Sequence, residues 1–338
     1  MAARVLDGDR RALARLLTLI EDGESEGQEA LAALFPEAGS AHVVGFTGAT
    51  GAGKSTLLNH VARTFRARGV EIAVVAVDPT SPLSGGALLG DRLRMRDLVG
   101  DPGIFIRSMA SRGHPGGLAH ATWDVITALD AAGFPLVLVE TVGAGQAQVT
   151  IAQVSHTVVL VEAPGMGDDI QALKAGLLEI ADVIVVNKAD RPGAKRTVVA
   201  LQSVHTGAMR GHHRTEFNLT TSQDAPADEG TWQVPILETS ATSGQGIEAL
   251  VDAIVAHKAY LQETQMWRER QTQRARASVR MWLQRHFEDH FDRCVDPQTV
   301  EVRIQKVADR EQDPSGAARA LLEAYLSQIK TGCPPPTP

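Results

Sequence analysis

Gly48-Ala49-Thr50-Gly51-Ala52-Gly53-Lys54-Ser55-Thr56 reads as G-x-x-x-x-G-K-S followed by threonine, the pattern of a phosphate-cradling loop. Its flanks suit that reading. The run His42-Val43-Val44-Gly45-Phe46-Thr47 before it is short, mostly apolar and rich in β-branched residues, as expected of a buried parallel strand. After it, Leu57, Leu58, Val61 and Phe65 fall on one helical face, and Gly69 is a natural stop. Gly48, Gly51 and Gly53 let backbone N–H groups turn inward around phosphate oxygens, at the positive end of the following helix. Lys54 is placed to reach the β- and γ-phosphates, and the hydroxyl of Ser55 to bind Mg²⁺.

Strands and helices alternate outward from this loop. Glu71–Val77, Leu136–Val139, Thr157–Val161, Val183–Val186 and Val234–Leu237 are further short apolar runs. Such strands, separated by helical stretches, imply an α/β fold: a P-loop NTPase with a mostly parallel sheet covered by helices on both faces. Ligands of such sheets sit at the carboxyl ends of the strands. In residues 1–40, Leu13, Leu16, Leu17 and Ile20 recur at helical spacing, and a second helix is expected up to about Pro36. These helices must dock on the chain's own core or on a partner. From about Ala249 the chain is helical again, through an arginine-punctuated segment and a last helix near Gly316–Ile329. The expected organisation is a helical arm over 1–40, a nucleotide domain over 41–262, a helical dimerisation arm over 263–330 and a disordered tail over 331–338. The polar stretch 207–231 reads as a surface insertion. Its histidines, with His205 nearby, have no carboxylate or cysteine at ligand spacing.

Bulk composition excludes several functions. At 338 residues with 43% hydrophobic content, an ordinary globular core is expected. A net charge of −7 and only 4% aromatics argue against nucleic acid as a partner. Cys294 and Cys333 lie outside any C-x-x-C spacing, which suggests a reducing compartment and no cysteine metal site. No apolar run approaches transmembrane length and the N-terminus lacks an apolar signal core, so a cytoplasmic protein without a membrane partner is expected.

The base is chosen elsewhere. Asn187-Lys188-Ala189-Asp190 follows a strand directly and reads as N-K-x-D, the guanine-specificity motif. The Asp190 carboxylate can accept from both N1–H and the 2-amino group of guanine. Adenine offers neither donor there and would leave a charged acceptor unpaired. Asn187 can contact the base edge or tie its loop to the phosphate loop, and the Lys188 stem can cover the base face. Ser240, Ala241 and Thr242, after the last strand, match the next base-contact loop, where a backbone N–H reaches the guanine oxygen.

The hydrolytic side is less standard. Leu136–Val139 runs into Glu140-Thr141-Val142-Gly143, like D-x-x-G with Glu140 in place of aspartate. A carboxylate there can hold Mg²⁺ and the Gly143 N–H can sense the γ-phosphate. Ala144 stands where a water-orienting glutamine is often found; Gln146 is a weak substitute. Asp78, ending its strand, and Asp91 are further carboxylates for Mg²⁺ or water, although Asp78-Pro79 also suits a plain turn. The arginines between Arg92 and Arg112 are better suited to salt bridges than to transition-state charge.

Together these stretches resemble the MeaB/ArgK family of P-loop GTPases over roughly residues 5–330. The specific matches are Gly85-Gly86-Ala87-Leu88-Leu89-Gly90-Asp91, Glu140-Thr141-Val142-Gly143-Ala144-Gly145-Gln146 and Gly167-Asp168-Asp169-Ile170-Gln171. The resemblance implies a homodimeric GTPase that uses GTP/GDP and Mg²⁺. It would gate adenosylcobalamin loading and protect an adenosylcobalamin-dependent acyl-CoA mutase. It carries over Lys54 and Ser55 as phosphate and Mg²⁺ residues, and Asp78, Asp91 and Glu140 as Mg²⁺ and hydrolysis residues. Ala163–Lys174 would be the segment that transmits nucleotide state. Ser108–Pro115 departs from the version common in methylmalonyl-CoA mutase chaperones and is closer to that of isobutyryl- or 2-hydroxyisobutyryl-CoA mutase GTPases. A metal-insertion GTPase and a GTP-regulated interaction protein with little turnover are the alternatives.

Overall fold

The computed structural model describes residues 1–78, 98, 100–110, 117–141, 151–165, 174–211 and 231–331. These divide into two compact units, 1–274 and 275–338.

The first unit is built on a seven-stranded sheet of order β3-β2-β4-β1-β5-β6-β7. The strands are β1 His42–Gly48, β2 Ile72–Asp78, β3 Ile104–Ala110, β4 Leu136–Thr141, β5 Thr157–Glu162, β6 Val183–Val186 and β7 Ile236–Glu238. Every pairing is parallel. Helices α4 Lys54–Ala67, α5 Gly117–Ala131, α6 Lys174–Ile180, α7 Ala194–Gly211 and α8 Ile247–Glu263 cover it. Side-chain alternation along each strand sorts the core. Val44, Phe46, Leu138, Val159 and Val161 pack with Leu57, Leu58 and Val61 of α4 and Leu250 and Ile254 of α8. Leu160, Ile184 and Val186 point the other way, toward Leu178 of α6 and Leu201 of α7. Central strands buried on both faces explain the near-continuous apolar runs.

Strand ends shift by a residue or two from expectation: β1 runs on to Gly48, β2 is Ile72–Asp78, β4 reaches Thr141, β5 reaches Glu162, and the last strand is Ile236–Glu238 rather than Val234–Leu237. The edge strand β3 has no counterpart in the sequence reading. Among the described residues it pairs with β2 alone, and it carries Arg107 and Ser108, so its pattern is broken by polar residues.

The N-terminal helices α1 Ala2–Leu6, α2 Arg10–Asp22 and α3 Ser25–Leu34 pack within this same unit. Asp9 caps α2, accepting from Arg11 N at 2.9 Å and Ala12 N at 3.0 Å. The α2 face that buries Leu13, Leu16, Leu17 and Ile20 is the one foreseen from spacing. Polar ties fix it to the sheet: Glu21 to Arg107 at 2.5 Å, and Arg10 to the Ile104 carbonyl at 2.9 Å. Arg107 is thus a salt-bridge partner of α2. Gln28 of α3 reaches Asp124 of α5 at 3.0 Å.

The long C-terminal segment is three helices, α9 Met266–Cys294, α10 Pro297–Ala308 and α11 Pro314–Thr331. The second unit begins within α9. There α11 folds back on α9: Tyr325 Oη lies 2.8 Å from His290 Nδ1, with Phe287 and Phe291 against the Tyr325 ring. Cys294 is disulfide-bonded, where the cysteine spacing had suggested a reducing compartment. Among the described residues no helix is long and apolar enough to cross a membrane.

Candidate functional site

The strand β1 is central, between β4 and β5. Past Gly48 the chain leaves the sheet, turns, and enters α4 at Lys54, so the loop lies at the carboxyl ends of the strands. Gly48 (φ +134°) and Gly53 (φ +92°) need glycine for two reasons. Their backbone lies where side chains are strained, and a Cβ on Gly48 would overlap the Val161 carbonyl. A Cβ on Gly53 would come within 2.5 Å of Asn187 Nδ2. Ala49, Thr50, Gly51 and Ala52 complete the turn, and Ser55 and Thr56 open α4, whose positive end faces it.

Lys54 is buried and folds back, donating to the Gly48 carbonyl at 2.9 Å and the Ala49 carbonyl at 3.0 Å. Burial lowers its pKa, opposed by the carboxylates of Glu140 and Glu162. Ser55 Oγ donates to Glu140 Oε1 at 2.6 Å, so the two residues chosen from separate motifs meet. The register explains it: Glu140 pairs with Phe46 on β1, and both point to the α4 face. Hydroxyl and carboxylate oxygens are a hard donor set that suits Mg²⁺. Among the described residues no cluster of three His, Cys, Asp or Glu forms a metal site. Asp78 is the last residue of β2, with its backbone beside Ala110. Asp91 and Gly143 lie outside the described residues, as do most of Ala163–Lys174 and of 207–231.

Glu162 was missed. It is buried at the end of β5, its carbonyl accepts from Asn187 N at 2.8 Å, and its charge acts on Lys54. The signal was present: Val161-Glu162 ends an apolar strand just as Val139-Glu140 does.

The second half of the site is a clamp. Asn187 Nδ2 donates to the Ala52 carbonyl at 2.8 Å. Its Oδ1 accepts from Ala241 N and from Thr239 Oγ1, both at 3.2 Å. One buried amide therefore ties the phosphate loop to the β6 and β7 ends, the tying role being one of the two open to Asn187. Lys188, in a left-handed conformation (φ +57°), donates from Nζ to the Gly51 carbonyl at 2.5 Å. Ser240 Oγ donates to Asp190 Oδ1 at 2.6 Å and lies 3.1 Å from Thr242 Oγ1. That bond holds the exposed Asp190 carboxyl below its usual pKa. Asp190 thus presents an ionised, oriented acceptor beside the phosphate loop.

A glycine loop between a central parallel strand and a helix, joined to an N-K-x-D strand end, defines a P-loop GTPase. The comparisons narrow the class. The family model for methylmalonyl-CoA mutase-associated GTPase MeaB matches residues 13–295, and the chain belongs to that family. A GTPase of Pyrococcus abyssi is 42% identical over 326 residues, 96% of this chain and 95% of the relative. A fused isobutyryl-CoA mutase of Cupriavidus metallidurans is 43% identical over 196 residues, 56% of this chain and 18% of that protein. The crystal structure of an LAO/AO transport system kinase superposes with TM-score 0.67 at 25% identity, covering 95% of each chain. The protein is accordingly a GTPase that binds guanine nucleotide.

Proposed function

We propose that this GTPase controls adenosylcobalamin loading of an acyl-CoA mutase and protects that enzyme. The observation that carries the mutase reading is the fused isobutyryl-CoA mutase, in which a module like this one shares a polypeptide with a mutase. Isobutyryl- and 2-hydroxyisobutyryl-CoA mutases are therefore the first clients to test, ahead of methylmalonyl-CoA mutase. The protein acts in the cytoplasm in this reading.

Within the site, Lys54 and the loop N–H groups bind the β- and γ-phosphates, and Asp190 reads the guanine edge. The backbone N–H of Ala241 and the side chains of Ser240 and Thr242 complete the base loop. Ser55 and Glu140 hold Mg²⁺, joined by Asp78 and Asp91. When bound, Mg²⁺ offsets the negative charge of the phosphate oxygens. Phosphoryl transfer to water asks mainly for positioning and charge stabilisation, and Lys54 supplies the fixed positive charge. Gly143 reports on the γ-phosphate and Ala163–Lys174 passes that state to the mutase. Within the second unit, α9 exposes Val279, Leu283 and Phe287 on one face and α11 exposes Leu322, Leu326 and Ile329 on another, which supports homodimer formation through these helices.

The test is a binding panel of cobalamin-dependent mutases, with GTP turnover measured alone and with each. Stimulated turnover by one mutase is expected. Binding by none, with turnover unchanged throughout, overturns the chaperone reading and leaves the GTPase intact.

A further inference from the structure

At the amino-terminal ends of the strands, away from the nucleotide loop, lies a buried histidine cluster that GTP hydrolysis does not use. We propose that the first turns of α9, residues 266–274, are held to the sheet by an acid-opened latch. Its parts are His156 and His42 on the sheet side and Trp267 and Arg274 on α9.

The geometry requires neutral rings. Val43 N donates to His156 Nδ1 at 3.1 Å, while Arg274 Nη1 lies 2.6 Å from His156 Nε2. Two donors face one ring. A neutral imidazole accepts at one nitrogen and an imidazolium at neither. Protonation therefore removes the acceptor that Val43 and Arg274 compete for. The same ring stacks on Trp267, with centroids 4.2 Å apart and planes 11° apart. His42 lies 6.0 Å from that indole.

A second row shares the constraint. Asp182 Oδ1 lies 3.4 Å from His257 Nε2, which assigns the His257 proton to that nitrogen. Nδ1 then accepts from the Thr157 hydroxyl at 2.8 Å, and Thr157 accepts from His42 Nε2–H at 2.7 Å. The row is complete with both rings neutral. Asp182 also takes Arg270 at 2.7 Å and Val158 N at 2.9 Å.

Among the described residues, the charges that act on His42 and His156 are cationic. Lys258 on α8 and Arg270 and Arg274 on α9 are cations facing His42 or His156, and His257 is a further basic neighbour. Asp182 is engaged as described. Asp130 on α5, which acts on Arg274, spends its oxygens on Gly39, Ser40 and Ala41 N–H. Burial, reinforced by these cations, holds His42 and His156 well below the ordinary histidine value. His257 is lowered by burial too, opposed by Asp182.

The sign follows. The latched state binds fewer protons than the open one, so it is fully favoured above about pH 6.5 and lost as pH falls below that. Each histidine that titrates contributes about tenfold per pH unit to the opening equilibrium.

Hydrogen exchange on the full-length protein between about pH 7.5 and about pH 5, corrected for intrinsic rates, reads this directly. Residues 266–274 should lose at least about tenfold protection while α4 stays protected. His156→Gln and His42→Gln, which cannot titrate, should flatten that slope. Constant protection of 266–274, loss shared equally by α4, or an unaltered slope in both variants would each overturn the latch. If the variants do not fold, imidazole NMR of the wild type decides. His156 and His42 should titrate together with the loss of protection; titration near about 6.5 with 266–274 still protected refutes it.

Discussion

Asp190 and Glu162 show how differently two carboxylates of one site announce themselves. Asp190 was legible because N-K-x-D is a fixed local pattern, and the bond from Ser240 that orients it follows from the adjoining strand end. Asp190→Asn should weaken GTP binding by about tenfold or more and narrow the GTP-over-ATP ratio, since the amide presents a donor to a donor edge. Competition binding with both nucleotides checks this; an unchanged ratio removes Asp190 from the base site. Glu162 belongs to no named motif, only to the end of an apolar strand run, and gains its role because β5 ends beside the loop that carries Lys54. Burial lowers the Lys54 pKa and the two carboxylates oppose that fall. In Glu162→Gln the opposition weakens, so the charged lysine is lost at lower pH. The alkaline limb of GTPase activity should move toward neutrality, and a pH profile of kcat/KM overlapping that of the wild type would dismiss the coupling.

At the scale of elements, the phosphate loop and the β6–β7 ends are one mechanical piece, joined through Asn187. Gly53→Ala tests that joint. The new methyl meets Asn187 Nδ2, and the left-handed backbone adds strain of roughly 1–2 kcal/mol. Both a lower Tm, by a few degrees, and weaker GTP binding are expected, read by thermal denaturation and calorimetry; a variant with wild-type affinity would sink the clamp. Elements with a strong period were legible, such as α2 and the central strands. The edge strand β3 was not, because one sheet neighbour and a half-exposed surface let Arg107 and Ser108 interrupt its pattern. The run beyond residue 249 hid the break between α8 and α9, where Gln265 adopts positive φ (62°) without a glycine or proline to mark it.

For the whole molecule, the exposed apolar faces of α9 and α11 carry the dimer prediction. Leu283→Glu with Phe287→Glu should convert the protein to a monomer in sedimentation analysis while leaving GTP binding intact. A wild type that sediments as a monomer would end the homodimer reading. The N-terminal helices had two possible docking surfaces in sequence, and the pairing of Glu21 with Arg107 and of Gln28 with Asp124 shows that they dock on the chain's own first unit. Nothing in residues 1–40 names those partners, which lie more than eighty positions away.

By itself the sequence determined the local chemistry: a glycine loop, a guanine motif and parallel-strand runs, all set by short-range spacing and backbone sterics. The tertiary structure decided what depends on distant residues meeting. It brought Ser55 to Glu140, drew Glu162 into the field of Lys54, and closed Asn187 on Ala52. It also gathered His42, His156 and His257 at the amino-terminal ends of the strands. The physical reason is that strand order in a parallel sheet is set by crossover connections, not by adjacency in the chain. The phosphate loop is therefore completed by strands that come much later in the sequence.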